Sequence, residues 1–444
     1  MKLFGTDGLR GKAGVFPLDP ESALLIGREV GRRSGGRVVL GGDTRESTPG
    51  LVRDLARGLR SAGCEVALAG VVPTPAIAEL VLALSAGAGI SVSASHNPYE
   101  DNGIKIFGAD GRKWADSEEA AVEGLLLTSR GGAEEQRSGR ETSADAEPDP
   151  ALAEIYLRRL AEHVPTGLRG MAVVLDAGNG AAYRVGPEAL RRAGADVAAI
   201  CDRPDGRNIN EGCGALHPKA MAAKTRQSGA AMGVAFDGDA DRAIFAAGDG
   251  RILDGDDVLW IIARDWNRKG ILRGRAIVGT VMSNFGLEHA LDREGILFHR
   301  APVGDRNVAR RMEETGAAIG GEASGHVILP FSPAGDGIQT ALLLAAVLSE
   351  SGSALSELAT LEKTPQELRN VRVAKRVEIE ALPETSRAVA RARQALDHRG
   401  RVFLRYSGTE PLLRILVEGT ESSAVLSIAD EIERVARAEL GAAP

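Results

Sequence analysis

The sequence predicts an α/β protein: three similar α/β units in a row, then a smaller α+β domain. Two observations carry this. A strand, loop, helix, glycine, strand unit recurs three times, and from about Lys375 the pattern changes. The chain has 444 residues, 43% apolar and 26% charged, which is material for several buried cores at roughly 150 residues per domain.

The first unit runs from the apolar strand Arg37-Val38-Val39-Leu40 through a polar turn into a helical pattern over 51–59. Gly63 and a strand over 65–68 follow. The second runs from Ala172-Val173-Val174-Leu175 through Asp176-Ala177-Gly178-Asn179-Gly180 to a helix over 187–192, Gly194 and a strand over 197–200. The third runs from Ala276-Ile277-Val278 through Ser283-Asn284 to a helix over 287–293, Gly295 and a strand over 296–299. Short, wholly apolar strands suit sheets covered on both faces, and a glycine after each helix suits a C-terminal cap. A Gly-, Ser-, Glu- and Pro-rich stretch over 128–150 reads as a surface connection. Beyond Lys375, strands are expected at 402–404 and 414–417 and a closing amphipathic helix at 424–440. The expected domains are 1–149, 150–250, 251–368 and 369–444.

Composition narrows the function. Lys plus Arg number 54 against 61 Asp plus Glu, a net charge of −7, and aromatics are 4%. That lacks the basic surface and stacking rings of a general nucleic-acid binder. Cys64, Cys201 and Cys213 form neither a CxxC pair nor an even disulfide set, which fits a reducing cytoplasm. The opening residues hold no apolar run, so no secretory leader is expected, and the apolar stretch near 341–348 is too short to span a bilayer.

Four loops carry candidate chemistry. In Phe236-Asp237-Gly238-Asp239-Ala240-Asp241-Arg242, three carboxylates alternate with small residues, so they converge and repel unless a cation sits among them. Oxygen donors favour Mg²⁺, with room left for a phosphate oxygen and water. An EF-hand would need glutamate at the twelfth position, where Gly248 stands; a solvated acidic turn is the bland alternative. Ser91-Val92-Ser93-Ala94-Ser95-His96-Asn97-Pro98 ends a strand in small hydroxyl residues, with His96 and Lys105 close in sequence. It suits a serine projected into a cleft, and equally an N-cap and turn. No G-x-S-x-G elbow is present. Gly320-Gly321-Glu322-Ala323-Ser324-Gly325-His326 gathers a carboxylate, a hydroxyl and an imidazole able to bind sugar hydroxyls and move protons. Arg405-Tyr406-Ser407-Gly408-Thr409-Glu410-Pro411, with Arg414 following, suits a phosphate nest or a plain hairpin turn. The N-terminal glycine-rich loop presents Arg10 but is no Walker A, because Ala13 follows Gly11-Lys12; Asp43-Thr44-Arg45 offers a further arginine.

These loops, in this order along essentially the whole chain, resemble those of the α-D-phosphohexomutases. The resemblance implies mixed sheets in three α/β domains and an α+β domain around a central cleft. It implies that Ser95 carries a phosphoryl group and completes the Mg²⁺ shell with Asp237, Asp239 and Asp241. Glu322 and Ser324 would bind sugar hydroxyls. Arg405, Ser407, Gly408, Thr409 and Arg414 would hold the non-reacting phosphate, Arg10 and Arg242 would stabilise the transferring group, and Lys105 and His326 are the proton-transfer candidates. A hexose 1,6-bisphosphate would be the activator. Asn208-Ile209-Asn210-Glu211-Gly212-Cys213-Gly214 and Pro302-Val303-Gly304-Asp305-Arg306 are similar to the branch that interconverts glucosamine 6-phosphate and glucosamine 1-phosphate for cell-envelope nucleotide-sugar synthesis. Ala240 and Ala323 stand where that branch more often has glycine and glutamine, so mannose or glucose phosphate remains the alternative substrate. The implied partner is a small sugar phosphate, with no nucleic acid and no membrane, and a homodimer is compatible with the sequence.

Overall fold

A computed structural model describes residues 3–5, 7–129, 147–163, 167–373, 376–406 and 411–441. Most of the expected 128–150 connection and the Ser407–Thr409 loop therefore lie outside the described residues. The chain divides into two compact units, Met1–Thr280 with His299–Thr360, and Val281–Phe298 with Leu361–Pro444.

The first unit holds two complete mixed sheets. One has six strands in the order Phe4–Gly5, Gly8–Lys12, Asp101–Gly108, Ala88–Val92, Arg37–Gly42 and Glu65–Val71. Its first four are antiparallel, and Arg37–Gly42 is parallel to both neighbours. The second has five strands in the order Ile252–Leu253, Ala243–Ala247, Met232–Phe236, Ala172–Asp176 and Asp196–Ile200, the last three parallel. Four strands form the third sheet, Leu297–Ala301, Ala276–Thr280, Ile319–Gly321 and Val327–Ile328. Central strands such as Ala88–Val92 and Met232–Phe236 are buried at every residue, as their largely apolar runs require, and the one hydroxyl among them, Ser91, bonds Thr74 (2.7 Å). The apolar run at 341–348 lies in the helix Gly337–Ser351, buried on nearly all sides.

In each repeated unit the helix is where the 3.6-residue pattern places it, at Thr48–Ser61, Val185–Arg192 and Phe285–Arg293. Gly63, Gly194 and Gly295 follow with φ of +83°, +103° and +67°, each two places past the last helical residue, where a left-handed turn lets the chain reverse. The helix Phe285–Arg293 of the third repeat, however, groups with the C-terminal unit. Asn284 caps it through Gly286 N (2.9 Å) and also bonds Thr364 and Gln366, and a Cβ at Gly286 would sit 2.2 Å from the Glu362 carbonyl. In that unit Gln366–Arg372, Leu412–Gly419 and Gly400–Tyr406 form an antiparallel sheet. Helices Pro383–Leu396 and Ser422–Leu440 cover it over a core that includes Leu413, Ile415, Val417, Val425 and Ile432. No described helix is long and apolar enough to cross a membrane.

Asp336 caps the helix Gly337–Ser351 through Gln339 N (2.9 Å) and accepts the Tyr156 hydroxyl (2.8 Å). Burial, with Glu79 nearby, pushes its carboxyl from 3.8 up to about 7. The folded state therefore keeps a proton that the unfolded chain has released, and stability falls as pH rises between those values. Asp336→Asn keeps the cap without the ionisation. Its unfolding free energy should exceed the parent's by on the order of 2 kcal/mol at about pH 8, with little gain at about pH 4. Urea titrations at the two pH values check this; an equal effect at both would remove Asp336 as the source.

Candidate active site

The site is built where the first two sheets' loops meet. Strand Ala88–Val92 ends at Val92, and Ser93 Oγ then donates to Asp43 Oδ2 (2.6 Å) while accepting from Ser95 N (2.9 Å). Ser95 itself is buried with φ +54°, a conformation that non-glycine residues keep only under outside restraint. The restraint is Arg45. Its fully buried guanidinium pairs with Asp43 (2.8 Å) and donates to the carbonyls of Ser95 (2.9 Å), Asn97 (2.9 Å), Asp101 (3.0 Å) and Pro98. Asn210 adds a second donor to the Ser95 carbonyl (2.9 Å).

The acidic loop follows strand Met232–Phe236. Its turn closes through Ala240 N to the Asp237 carbonyl (3.0 Å), with Ala240 at φ +55° and fully buried. This is the place where the resemblance expects glycine; an alanine there costs roughly 1 kcal/mol of backbone strain. Gly238 lets the two loops touch, since a Cβ there would lie 2.5 Å from the Ser95 carbonyl. Across that contact the Ser95 hydroxyl donates to Asp237 Oδ2 at 2.6 Å and lies 3.2 Å from His96 Nδ1.

Asp237, Asp239 and Asp241 are all buried, each offering an oxygen within 4.8 Å of the others. Lys105 Nζ takes one oxygen each of Asp239 (2.8 Å) and Asp241 (2.9 Å) and lies 3.1 Å from Asp7; Thr74 Oγ donates to Asp239 (2.6 Å). Oδ1 of Asp239 and Oδ1 of Asp241 have no hydrogen-bonding partner, although Arg242 Nε and His326 Nδ1 lie 3.8 Å from the latter. Burial, with Asp241 and Asp239 adjacent, pushes the Asp237 carboxyl up to about 8. Oxygen-only donors, two without partners and one strained toward protonation, fit a hard divalent cation.

Charge is dense around the trio. Burial opposes the charge on Lys105, but Asp239, Asp241 and Asp7 outweigh it and hold the ammonium well above the usual lysine range. Burial, then Arg242 and Arg10, press His96 down to about 4, so it is neutral at physiological pH. His326 is opposite: burial is overcome by Asp241, Asp305 and Glu322, which raise it. Arg242 reaches His96 Nδ1 (3.1 Å), and Arg10 reaches Asn97 Oδ1 (3.3 Å) and Asp7.

The loop between strands Ile319–Gly321 and Val327–Ile328 carries Glu322, half-buried and accepting from Gly304 N (2.9 Å), an exposed Ser324, and the buried His326. In the C-terminal unit Arg405 and Arg414 are direct partners across the antiparallel pair. Burial and Arg414 lower the Arg405 guanidinium, a pairing that an anion would relieve. Ser407, Gly408 and Thr409 lie outside the described residues. Thus Ser95, the acidic trio, Lys105, Arg10, Arg242, Glu322, Ser324 and His326 belong to the first unit, and Arg405 and Arg414 to the second.

Sequence reasoning did not single out Lys113, Thr74 or the charge role of Asp305. Lys113 pairs with Asp7 and with Asp305 (2.6 Å), and Asp305 Oδ2 lies 4.0 Å from His326 Nε2. The Asp110-Gly111 turn before Lys113 was the one available signal, because it folds that residue back beside Phe107.

Comparison with known proteins agrees with this architecture. Phosphoglucomutase/phosphomannomutase models match in order: domain I over residues 1–130, domain II over 154–250, domain III over 254–364 and the C-terminal domain over 368–435. A phosphoglucosamine mutase of Solibacter usitatus is 44% identical, with 99% of each chain covered. One of Koribacter versatilis is 46% identical over 96% of this chain and 94% of the relative. A solved phosphoglucomutase/phosphomannomutase family protein of Burkholderia thailandensis superposes with a TM-score of 0.81 at 26% identity, covering 99% of this chain and 98% of that one. With all four domains matched and relatives this similar along their whole length, the chain belongs to the phosphoglucomutase/phosphomannomutase family.

Proposed function

We propose that this phosphohexomutase interconverts glucosamine 6-phosphate and glucosamine 1-phosphate, with Ser95 as phosphoryl carrier. The observation that carries the reading is the Ser95 hydroxyl, 2.6 Å from a carboxylate of a buried acidic trio in which Asp239 Oδ1 and Asp241 Oδ1 have no hydrogen-bonding partner. Asp237, Asp239 and Asp241 are the ligands for Mg²⁺, which supplies charge neutralisation at the phosphoryl group when bound. The sugar hydroxyl that lacks phosphate attacks the phosphorus on Ser95, the bond from phosphorus to Ser95 Oγ breaks, and a bisphosphorylated sugar results. The intermediate turns round and returns its other phosphate to Ser95, so a hexose 1,6-bisphosphate serves as activator.

Arg10 and Arg242, both beside the serine loop, stabilise charge on the transferring group. Lys105 stays an ammonium and offsets the carboxylates, and His326, which Asp241, Asp305 and Glu322 favour in its protonated form, is the group that gives a proton to the reacting oxygens and takes it back. Glu322 and Ser324 bind sugar hydroxyls. Arg405 and Arg414, with Ser407, Gly408 and Thr409, hold the idle phosphate.

The glucosamine assignment rests on the names and high identity of the curated relatives. Purified protein with bisphosphate activator and Mg²⁺ should turn over glucosamine 6-phosphate with kcat/KM at least about tenfold above mannose 6-phosphate or glucose 6-phosphate. A preference for either neutral sugar would overturn the assignment while leaving the phosphoserine chemistry in place.

A further inference from the structure

A second buried group of ligating side chains lies outside this site. Asp176 ends strand Ala172–Asp176, and Cys201 follows its parallel neighbour Asp196–Ile200, in which Ile200 is registered with Asp176. The sheet thus sets the carboxylate beside Cys201, whose backbone turns back at φ +49°. Cys213 arrives from the loop twelve residues on. A carboxylate oxygen and both sulfurs lie within 4.8 Å of one another, with Asp176 and Cys213 buried and Cys201 partly so.

The surroundings hold these atoms in place. Asp176 accepts Gly178 N (2.8 Å) and Gly214 N (3.0 Å), Asn179 N bonds the Cys201 carbonyl (2.7 Å), and Asn179 Nδ2 lies 3.8 Å from Cys213 Sγ. Burial, then Asp176, raises both thiols, so they carry protons until a cation displaces them. Two sulfurs with one carboxylate select a softer ion than the oxygen-only trio does.

We propose that Asp176, Cys201 and Cys213 form a second metal site, taking a thiophilic divalent cation of the zinc class. On binding, each thiol releases its proton to solvent as a sulfur–metal bond forms, the carboxylate supplies the third bond and water completes a tetrahedron. The ion would also stiffen the Ser95 loop. Asn210, three residues before Cys213, donates to the carbonyls of Ser95 (2.9 Å) and Asn97 (3.3 Å).

The test is a Co²⁺ titration of the metal-stripped full chain. The expected result is a thiolate-to-cobalt charge-transfer band that saturates at one equivalent, releases two protons per ion and is bleached by Zn²⁺. Cys201→Ser should lose the band while unfolding at the parent's temperature without metal, and Cys213→Ala should lose it too. Asp239→Asn should keep it, because oxygen donors give no such band, and so should Cys64→Ser, whose thiol lies elsewhere against the Gly31 carbonyl. Co²⁺ spectra without a thiolate band in the parent, or a band that survives Cys201→Ser, would overturn the proposal.

Discussion

Ser95→Ala is expected to lower mutase turnover by about a thousandfold or more, without unfolding the protein. The hydroxyl is the only atom the change removes, and its contacts are Asp237 and His96. The loop's shape depends instead on backbone bonds: Ser95 N to Ser93, and the Ser95 carbonyl to Arg45 and Asn210. Arginines, acidic trio and the loop that carries Glu322 and Ser324 all remain, so sugar phosphate should still bind and the loss should fall on kcat. A coupled assay for the product sugar phosphate, beside a thermal melt, separates the two effects. Retained kcat with an unchanged melt would show that the phosphoryl group travels by another route.

The second large effect is predicted at Arg45, which touches no reacting atom. Arg45→Met leaves Asp43 buried without its cation, and removes donors from the carbonyls of Asn97, Pro98 and Asp101. Breaking a buried pair on one side costs about 3–5 kcal/mol. Here the cost falls on the segment 93–102, because that is where the guanidinium's bonds end. Hydrogen exchange there should quicken by about a hundredfold or more, with strands Met232–Phe236 and Ala172–Asp176 unaffected. Arg45→Lys should rescue little, since one ammonium cannot serve carbonyls arranged around a planar fork. Unchanged exchange over 93–102 would remove Arg45 as the positioning residue.

Some of this was readable before any coordinates, for physical reasons that differ by residue. Asp237, Asp239 and Asp241 announce themselves because repulsion between carboxylates spaced by two needs a cation. The three repeated helices and strands were readable because apolar period and glycine caps are local. Arg45 was visible as an arginine after a strand, but its burial depends on four carbonyls 50 to 56 residues away. Lys113 bridges Asp7 and Asp305, which stand nearly 300 residues apart in sequence, and no local pattern records that. Strand Gln366–Arg372 escaped because only Val371 in it is buried, so its alternation is carried by polar residues. The helix Phe285–Arg293 was readable as a helix, but its grouping with the C-terminal unit follows from Asn284 and Gly286 meeting 362–366, a contact without a sequence signature.

The most direct measurement is the intact mass of the purified chain after incubation with glucose 1,6-bisphosphate and Mg²⁺, followed by peptide mapping. The account predicts one added phosphoryl group, on the peptide containing Ser95, removed again by excess sugar monophosphate and never acquired by Ser95→Ala. A parent chain that gains no phosphate while turning over substrate, or an equal gain in Ser95→Ala, would contradict it.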